Sequence, residues 1–168
     1  MNVVNKPKVS RFIAGTYIVF AVFIAALVAF FTHASSFTAM GIVVLASIAA
    51  VLVFAEIMML LIFASIYRTK YILTAEELII KTTKLIGGSK RIYLKDVVSI
   101  ERALIPFAIR LFGASFHGGY YYIPRLGRAF MVITNFNDGV LIKTKHGNYV
   151  VTPEKPEDFI EAIKAHTS

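Results

Sequence analysis

Hydrophobic and polar positions alternate in two different ways along this chain, and the change falls near residue 67. From Phe12 to Tyr67 the only charged side chain is Glu56, with His33 as the one further ionisable group. A soluble fold needs polar positions far more often than that to meet water. Phe12–Thr32 is 21 residues, about 31 Å long as a helix at ~1.5 Å per residue, which matches a hydrocarbon core of ~30 Å. Ala39–Ile66 is 28 residues, about 42 Å by the same rise, so it must tilt or protrude. "HASSF" between them reads as a short polar turn. Within a bilayer each backbone group has to be satisfied inside its own segment, so both spans must be helical. The pattern predicts a transmembrane helical hairpin over residues 12–67, with spans of about 12–32 and 39–66. A cleaved signal peptide is a poorer account of the first span, because its apolar run exceeds the ~7–15 residues of a signal core.

From residue 68 onward the period drops to two, the spacing of strands. "KYILT", "LIIKTT", "KRIYL" and "VVSIERA" come first, then "GYYYIP", "RAFMVITNF", "GVLIKTK" and "NYVVTP". "GGS" (87–89), Asn137-Asp138-Gly139 and His146-Gly147-Asn148 supply the glycine-containing turns that tight hairpins require. The expectation is an antiparallel meander. "LIPFAIRLFGASF" (104–116) is broken by Pro106 and Gly113 and reads as a short amphipathic helix with Arg110 outward. At the end Pro156 suits a first helical position, and Glu157 and Asp158 place negative charge in the first turn. Phe159, Ile160 and Ile163 fall on one face, which should cap the sheet. The predicted organisation is a basic N-terminus (1–11), the membrane hairpin (12–67) and an α+β module (68–168).

Charge sets the orientation. Lys6, Lys8 and Arg11 precede the first span and Arg68 and Lys70 follow the second, while the connecting turn has no Lys or Arg. By the positive-inside rule both termini are cytoplasmic and the protein is a multi-pass protein of the cell (plasma) membrane. The chain's formal net charge is +8. Fifteen Lys/Arg against nine Asp/Glu lie from residue 68 onward. The flanks of the spans account for five of the basic residues and the rest form no groove-like cluster, so nucleic acid is not the expected partner. The absence of cysteine excludes disulfides and thiolate metal sites.

Here the residues meet a resemblance. "YILTAEELIIKTTKL…RIYLKDVVSIE", then "GGYYYIPRLG", then "VLIKTKHGNYVVTPEKPEDFIEAI" are similar to the bacterial and archaeal pleckstrin-homology-like (bPH) domain membrane proteins, over roughly Tyr71–Ala165. The resemblance implies a PH-like fold: an antiparallel, curled β-sandwich or barrel, with one end plugged by the C-terminal helix. It also implies one or two preceding membrane helices and no catalytic residues. The basic Lys-x-Arg pair by which eukaryotic relatives often hold phosphoinositides has only a loose counterpart, "TTKLIGGSKR".

Candidate chemistry is sparse. His117-Gly118-Gly119 looks like an esterase oxyanion loop, but that loop needs a Gly-x-Ser-x-Gly elbow, which is absent. The four His show no metal-ligand spacing, and no Walker or dinucleotide fingerprint occurs. The expectation is a non-enzymatic protein with no catalytic, cofactor or metal site. Glu56 stands out. It lies ~15 Å from the cytoplasmic end of its span by helical rise, at a depth where a carboxylate costs about 2.5–3.5 kcal/mol. The first helix offers Ala21 and Val22 opposite it, and neither can pair. Glu56 therefore bonds to another subunit or lines a polar cavity, or a protonated carboxyl bonds to a nearby backbone carbonyl. Ala21, Ala25, Ala29, and Ala46 with Ala50, are spaced for close helix approach. Between Glu101 and Asp138 no acid occurs. Arg102, Phe107, Arg110, Phe112, Tyr121, Arg125 and Arg128 are the candidate lipid or partner surface there. The expected partners are the bilayer, anionic lipids, and a membrane protein or second copy engaged through the helices. The expected role is an accessory or scaffold subunit, or binding of anionic head groups. The competing role is a membrane enzyme or transporter component that uses Glu56.

Overall fold

The computed structural model describes residues 3–34, 39–105, 107–115 and 117–167. The chain divides into two compact units, one of residues 11–63 and one of residues 1–10 with 64–168.

The first unit is helical. Helix α1 spans Arg11–Ala34 and helix α2 spans Ala39–Tyr67. Each contains a stretch long and apolar enough to cross a membrane. Their large side chains stay uncovered, Phe23 at 57% and Phe54 at 66% exposure, where the core helix of a soluble protein would bury them. The rings of Tyr17 and Phe63 meet at 4.8 Å between centroids. Residues 21–29 share a groove with residues 53–57. Low numbers on α1 thus face high numbers on α2, so the two helices run antiparallel. Most of the expected "HASSF" turn lies outside the described residues.

The second unit is a two-layer β-sandwich closed by a helix. Strands β1 (Val3–Asn5), β2 (Lys70–Leu73), β3 (Glu77–Lys81) and β4 (Lys90–Tyr93) form one antiparallel sheet in that order. Strands β5 (Val97–Ala103), β6 (Ile109–Ser115), β7 (Gly118–Ile123), β8 (Gly127–Val132), β9 (Gly139–Thr144) and β10 (Gly147–Val151) form the other, ordered β5-β9-β10-β8-β7-β6. Helix α3 (Pro156–Thr167) packs on β5 and β9. Its Phe159 and Ile163 are fully buried, Phe159 against the Tyr71 ring at 5.7 Å, while Ile160 is half-buried. Period-two alternation sends Leu73, Leu78, Ile80 and Ile92 inward from the first sheet. Phe130, Val132, Val140, Ile142 and Val151 face them from the second, a row fixed by the pairing of Val151 with both Val132 and Val140.

Three features differ from expectation. The larger sheet is not a pure meander, because β10 pairs with β8 in parallel. Thr134, just beyond β8, bonds through its amide to the Thr152 hydroxyl at 3.0 Å. That bond ties the start of the β8–β9 connection to the end of β10 and seats β10, rather than β9, beside β8. Second, no helix forms in the described part of 104–116. Residues 109–115 are strand β6, which covers the free edge of β7 and satisfies its backbone groups. Register shifts after Arg110 and Phe112 absorb the broken periodicity that resembled a helix. Third, the basic N-terminus is built into the sandwich. β1 pairs with β2, the Lys8 amide bonds to the Thr152 carbonyl at 3.1 Å, and the Ser10 amide to the Thr134 carbonyl at 2.8 Å.

Both faces of the larger sheet are covered. On its outer face Tyr121, Ile123, Ala129, Met131, Ile133 and Val150 form a second apolar cluster, over which Ile105 and Ala108 fold. At the sheet's entry Gly118 lies against Ile86, and a Cβ there would collide with the Ile86 carbonyl oxygen. The glycine pair of "HGGYYY" is therefore a close backbone approach leading into a strand.

His117 begins that strand and is 8% exposed. Its Nδ1 lies 3.2 Å from the Ile133 carbonyl oxygen, so Nδ1 carries the proton and donates. Burial pushes the imidazole pKa below its ordinary 6.5, against a smaller opposing effect of the Ile133 bond. The unfolded chain then takes up a proton that the folded chain resists, and stability falls as pH drops through and below about 6.5. His117→Gln keeps a donor for Ile133 without titrating. The expected result is a flatter acid limb of thermal stability for the variant; an acid limb identical to that of the wild type would show that His117 does not contribute.

Candidate interaction surfaces

Two surfaces collect the candidate residues. The first is in the helical unit. The turns of α1 place Ala21, Ala25 and Ala29 on one stripe, since residues four apart stack on one face. Against this stripe Val53, Glu56 and Ile57 of α2 complete an open groove of ≈ 530 Å³. Alanines leave the space because a methyl side chain cannot fill it. Oε2 of Glu56 is buried at the groove and has no hydrogen-bond partner among the described residues. A polar atom withdrawn from water without a partner costs roughly 1–3 kcal/mol. The groove is otherwise apolar, so it holds one strong directional requirement, a donor for that oxygen.

The second set belongs to the sandwich, and its seven candidates separate. Arg102 is held internally. Its guanidinium bonds to Asp138 at 2.6 and 2.8 Å and pairs with Glu157, which ties β5 to the turn before β9 and to α3. The Asp138 bond and the two carboxylate charges raise its pKa. Arg102 stays exposed all the same, whereas Tyr121 is removed from the surface, at 7% exposure in the outer cluster. The alternation of β7 places Tyr120 and Tyr122 on the opposite face of the sheet, the face that carries Phe130, where both stay exposed. Arg110 is half-buried and paired in register with Tyr121. Burial raises the Tyr121 pKa and the Arg110 charge partly opposes it. The Phe112 side chain lies outside the described residues.

Phe107, Arg125 and Arg128 remain exposed. The apolar segment before β6 splits its side chains: Ile105 and Ala108 cover the outer cluster, while Leu104 at 78% and Phe107 at 79% exposure point away. Nearby, Leu126 N–H bonds to the Ile123 carbonyl at 3.1 Å, closing a turn with Pro124 at its second position and Arg125 at its third. Arg125 has φ +68°, where such turns normally carry glycine or asparagine. A residue held in that region costs of order 1 kcal/mol or more, and such costs concentrate at binding sites.

A further set was not legible as a group. Arg128 lines a cleft with Tyr120, Phe130 and Tyr149, and Lys90 reaches over two of those rings. They are spread over residues 90–149, and the pairing of β7, β8 and β10, with β4 of the other sheet, assembles them. Among the described residues no group of three or more His, Asp and Glu is placed to hold a metal ion.

A small sandwich of two curled sheets, one end closed by a C-terminal helix, is the PH-like arrangement. A family model described as Bacterial PH domain matches residues 69–167, and the chain belongs to that family. No curated protein and no solved structure matches the chain.

Proposed function

We propose that this chain is a non-enzymatic integral membrane protein that acts as a scaffold subunit, self-assembling through its helical hairpin and presenting its PH-like unit to the cytoplasm. The basic residues at both cytoplasmic flanks support this orientation: Lys6, Lys8 and Arg11 before α1, Arg68 and Lys70 after α2. The observation that carries the reading is Glu56, whose Oε2 is buried without a partner at the alanine groove.

The occupant we assign to the groove is a second copy of the hairpin. A neutral carboxyl is both donor and acceptor, so two such groups facing across a two-fold axis satisfy each other. An isologous interface needs that self-complementarity. The alanine stripe lets the second helix approach closely enough for the pair to form. The expected outcome in lipid nanodiscs is a dimer for wild type, loss of the dimer for Glu56→Leu, and retention for Glu56→Gln, whose amide also donates and accepts. An unchanged assembly in Glu56→Leu would remove the reading. Loss of cellular function in a Glu56→Gln variant that still dimerises would favour the transporter or enzyme alternative, in which the carboxyl must release a proton.

The exposed Leu104 and Phe107, together with the strained, exposed Arg125, support a second role, contact with anionic lipid head groups. Apolar side chains seat in the interface, and each nearby Arg is worth about 1 kcal/mol there. Arg125→Gly removes the charge and relaxes the left-handed backbone. The full chain in mixed micelles of zwitterionic and anionic phospholipid should then melt no lower and retain anionic lipid about fivefold more weakly. Equal retention by both proteins would sink the lipid role.

A further inference from the structure

The mouth of the sandwich holds a cleft that neither the hairpin groove nor the outer patch explains. Tyr120 of β7 pairs in register with Phe130 of β8, and Phe130 with Tyr149 of β10. The three rings therefore stand in one row, edge to face, with centroids 5.4 and 6.4 Å apart. Lys90 comes from β4 in the opposite sheet. Its ammonium lies 5.0 Å from the Tyr120 ring centre and 5.2 Å from that of Phe130. Arg128 and His146 complete the rim of a cavity of ≈ 380 Å³, within the usual range for small-molecule sites.

The charge balance of this cleft is one-sided. Neither Lys90 nor Arg128 has a carboxylate within ion-pair distance among the described residues. At the rim, His146 faces the Asp96 carboxylate at 3.6 Å. The aromatic faces stabilise the Lys90 cation by their quadrupoles but do not neutralise it. Burial raises the pKa of the Tyr149 hydroxyl, as does the neighbouring Tyr120, and the Lys90 charge lowers it, which places all three groups in one electrostatic environment.

We propose that this cleft is a binding site for a phosphate ester carried on a flat or apolar group. Arg128 on the cavity rim offers a phosphate its guanidinium fork, and Lys90, held over the Tyr120 and Phe130 rings that line the cavity, adds a second positive charge behind them. The Tyr120, Phe130 and Tyr149 rings supply an edge and face for the organic part. The site is independent of the Glu56 pairing, because its residues all belong to the sandwich.

The test uses the full chain in zwitterionic nanodiscs with phenyl phosphate and inorganic phosphate as probes. Phenyl phosphate should bind saturably and at least about tenfold tighter than inorganic phosphate, since the rings add one aromatic contact's worth of affinity. Lys90→Met and Arg128→Gln should each weaken phenyl phosphate about tenfold or more. Arg128 is exposed, so its variant tests the site even where Lys90→Met fails to fold. A parallel arm with anionic phospholipid in the discs identifies the source. Competition by the lipid assigns the site to a head group, and unchanged affinity assigns it to a soluble ester. Absence of saturable binding, or binding indifferent to Arg128→Gln, would overturn the proposal.

Discussion

Thr134 and Thr152, both fully buried, join four separate pieces of chain through one hydrogen-bonded node. Their hydroxyls lie 2.8 Å apart, and the Thr134 hydroxyl donates to the Lys8 carbonyl at 2.8 Å. The Thr152 hydroxyl donates to that of Thr134 and also lies 3.4 Å from the Val132 carbonyl, and the Thr152 amide donates to the buried Tyr71 hydroxyl at 3.4 Å. The N-terminal segment, β2, and the ends of β8 and β10 thus converge on two side chains. Each buried polar group left unpaired would cost roughly 1–3 kcal/mol, so the pieces are mutually dependent. The parallel pairing of β8 with β10 and the docking of the N-terminus follow from this node. A direct consequence concerns the helices. The residues immediately before α1 are fixed to the sandwich by the Ser10 amide, and the last turn of α2, with Ile66 fully buried, belongs to the same unit.

The node was invisible in the sequence because threonines at 134 and 152 carry no periodicity signal; they read as strand residues like any other. The N-terminal strand escaped for a related reason. Val3–Asn5 is too short to show alternation, and the three basic residues that follow resemble a positive-inside flank alone. By contrast, the two apolar helices, the strands from residue 70 onward and the capping helix were legible, since each rests on a local pattern of spacing and turn chemistry. Gly118-Gly119 read as a turn or a close backbone approach before a strand, and only the fold shows Ile86 as what Gly118 lies against. The apolar run 104–116 misled because bulges erase period two, leaving a spacing that imitates a helix.

The candidate surfaces followed the same division. Glu56 was readable from one residue's chemistry at one depth. The ion pairs of Arg102 and the burial of Tyr121 were not, because both are tertiary: two carboxylates from distant segments in one case, and the parity of β7 in the other. The aromatic cleft at Lys90 depends on a contact between the two sheets, which no single stretch of sequence encodes. What emerges is a division of labour along the chain. Apolar patterning accounts for the two long helices, Glu56 is the one carboxylate within them, and the sandwich carries the basic and aromatic side chains.

The most direct measurement of the account is residue-resolved amide hydrogen exchange on the full chain in detergent. If the threonine node holds the N-terminus to the sandwich, the Lys8, Ser10 and Glu154 amides, which bond to Thr152, Thr134 and Lys6, should exchange with the slow class of the β8 and β10 amides rather than with fraying ends. Thr134→Val should move Lys8 and Ser10 together into a faster class. Exchange of Lys8 and Ser10 at the rate of an unstructured tail in the wild-type chain would contradict it.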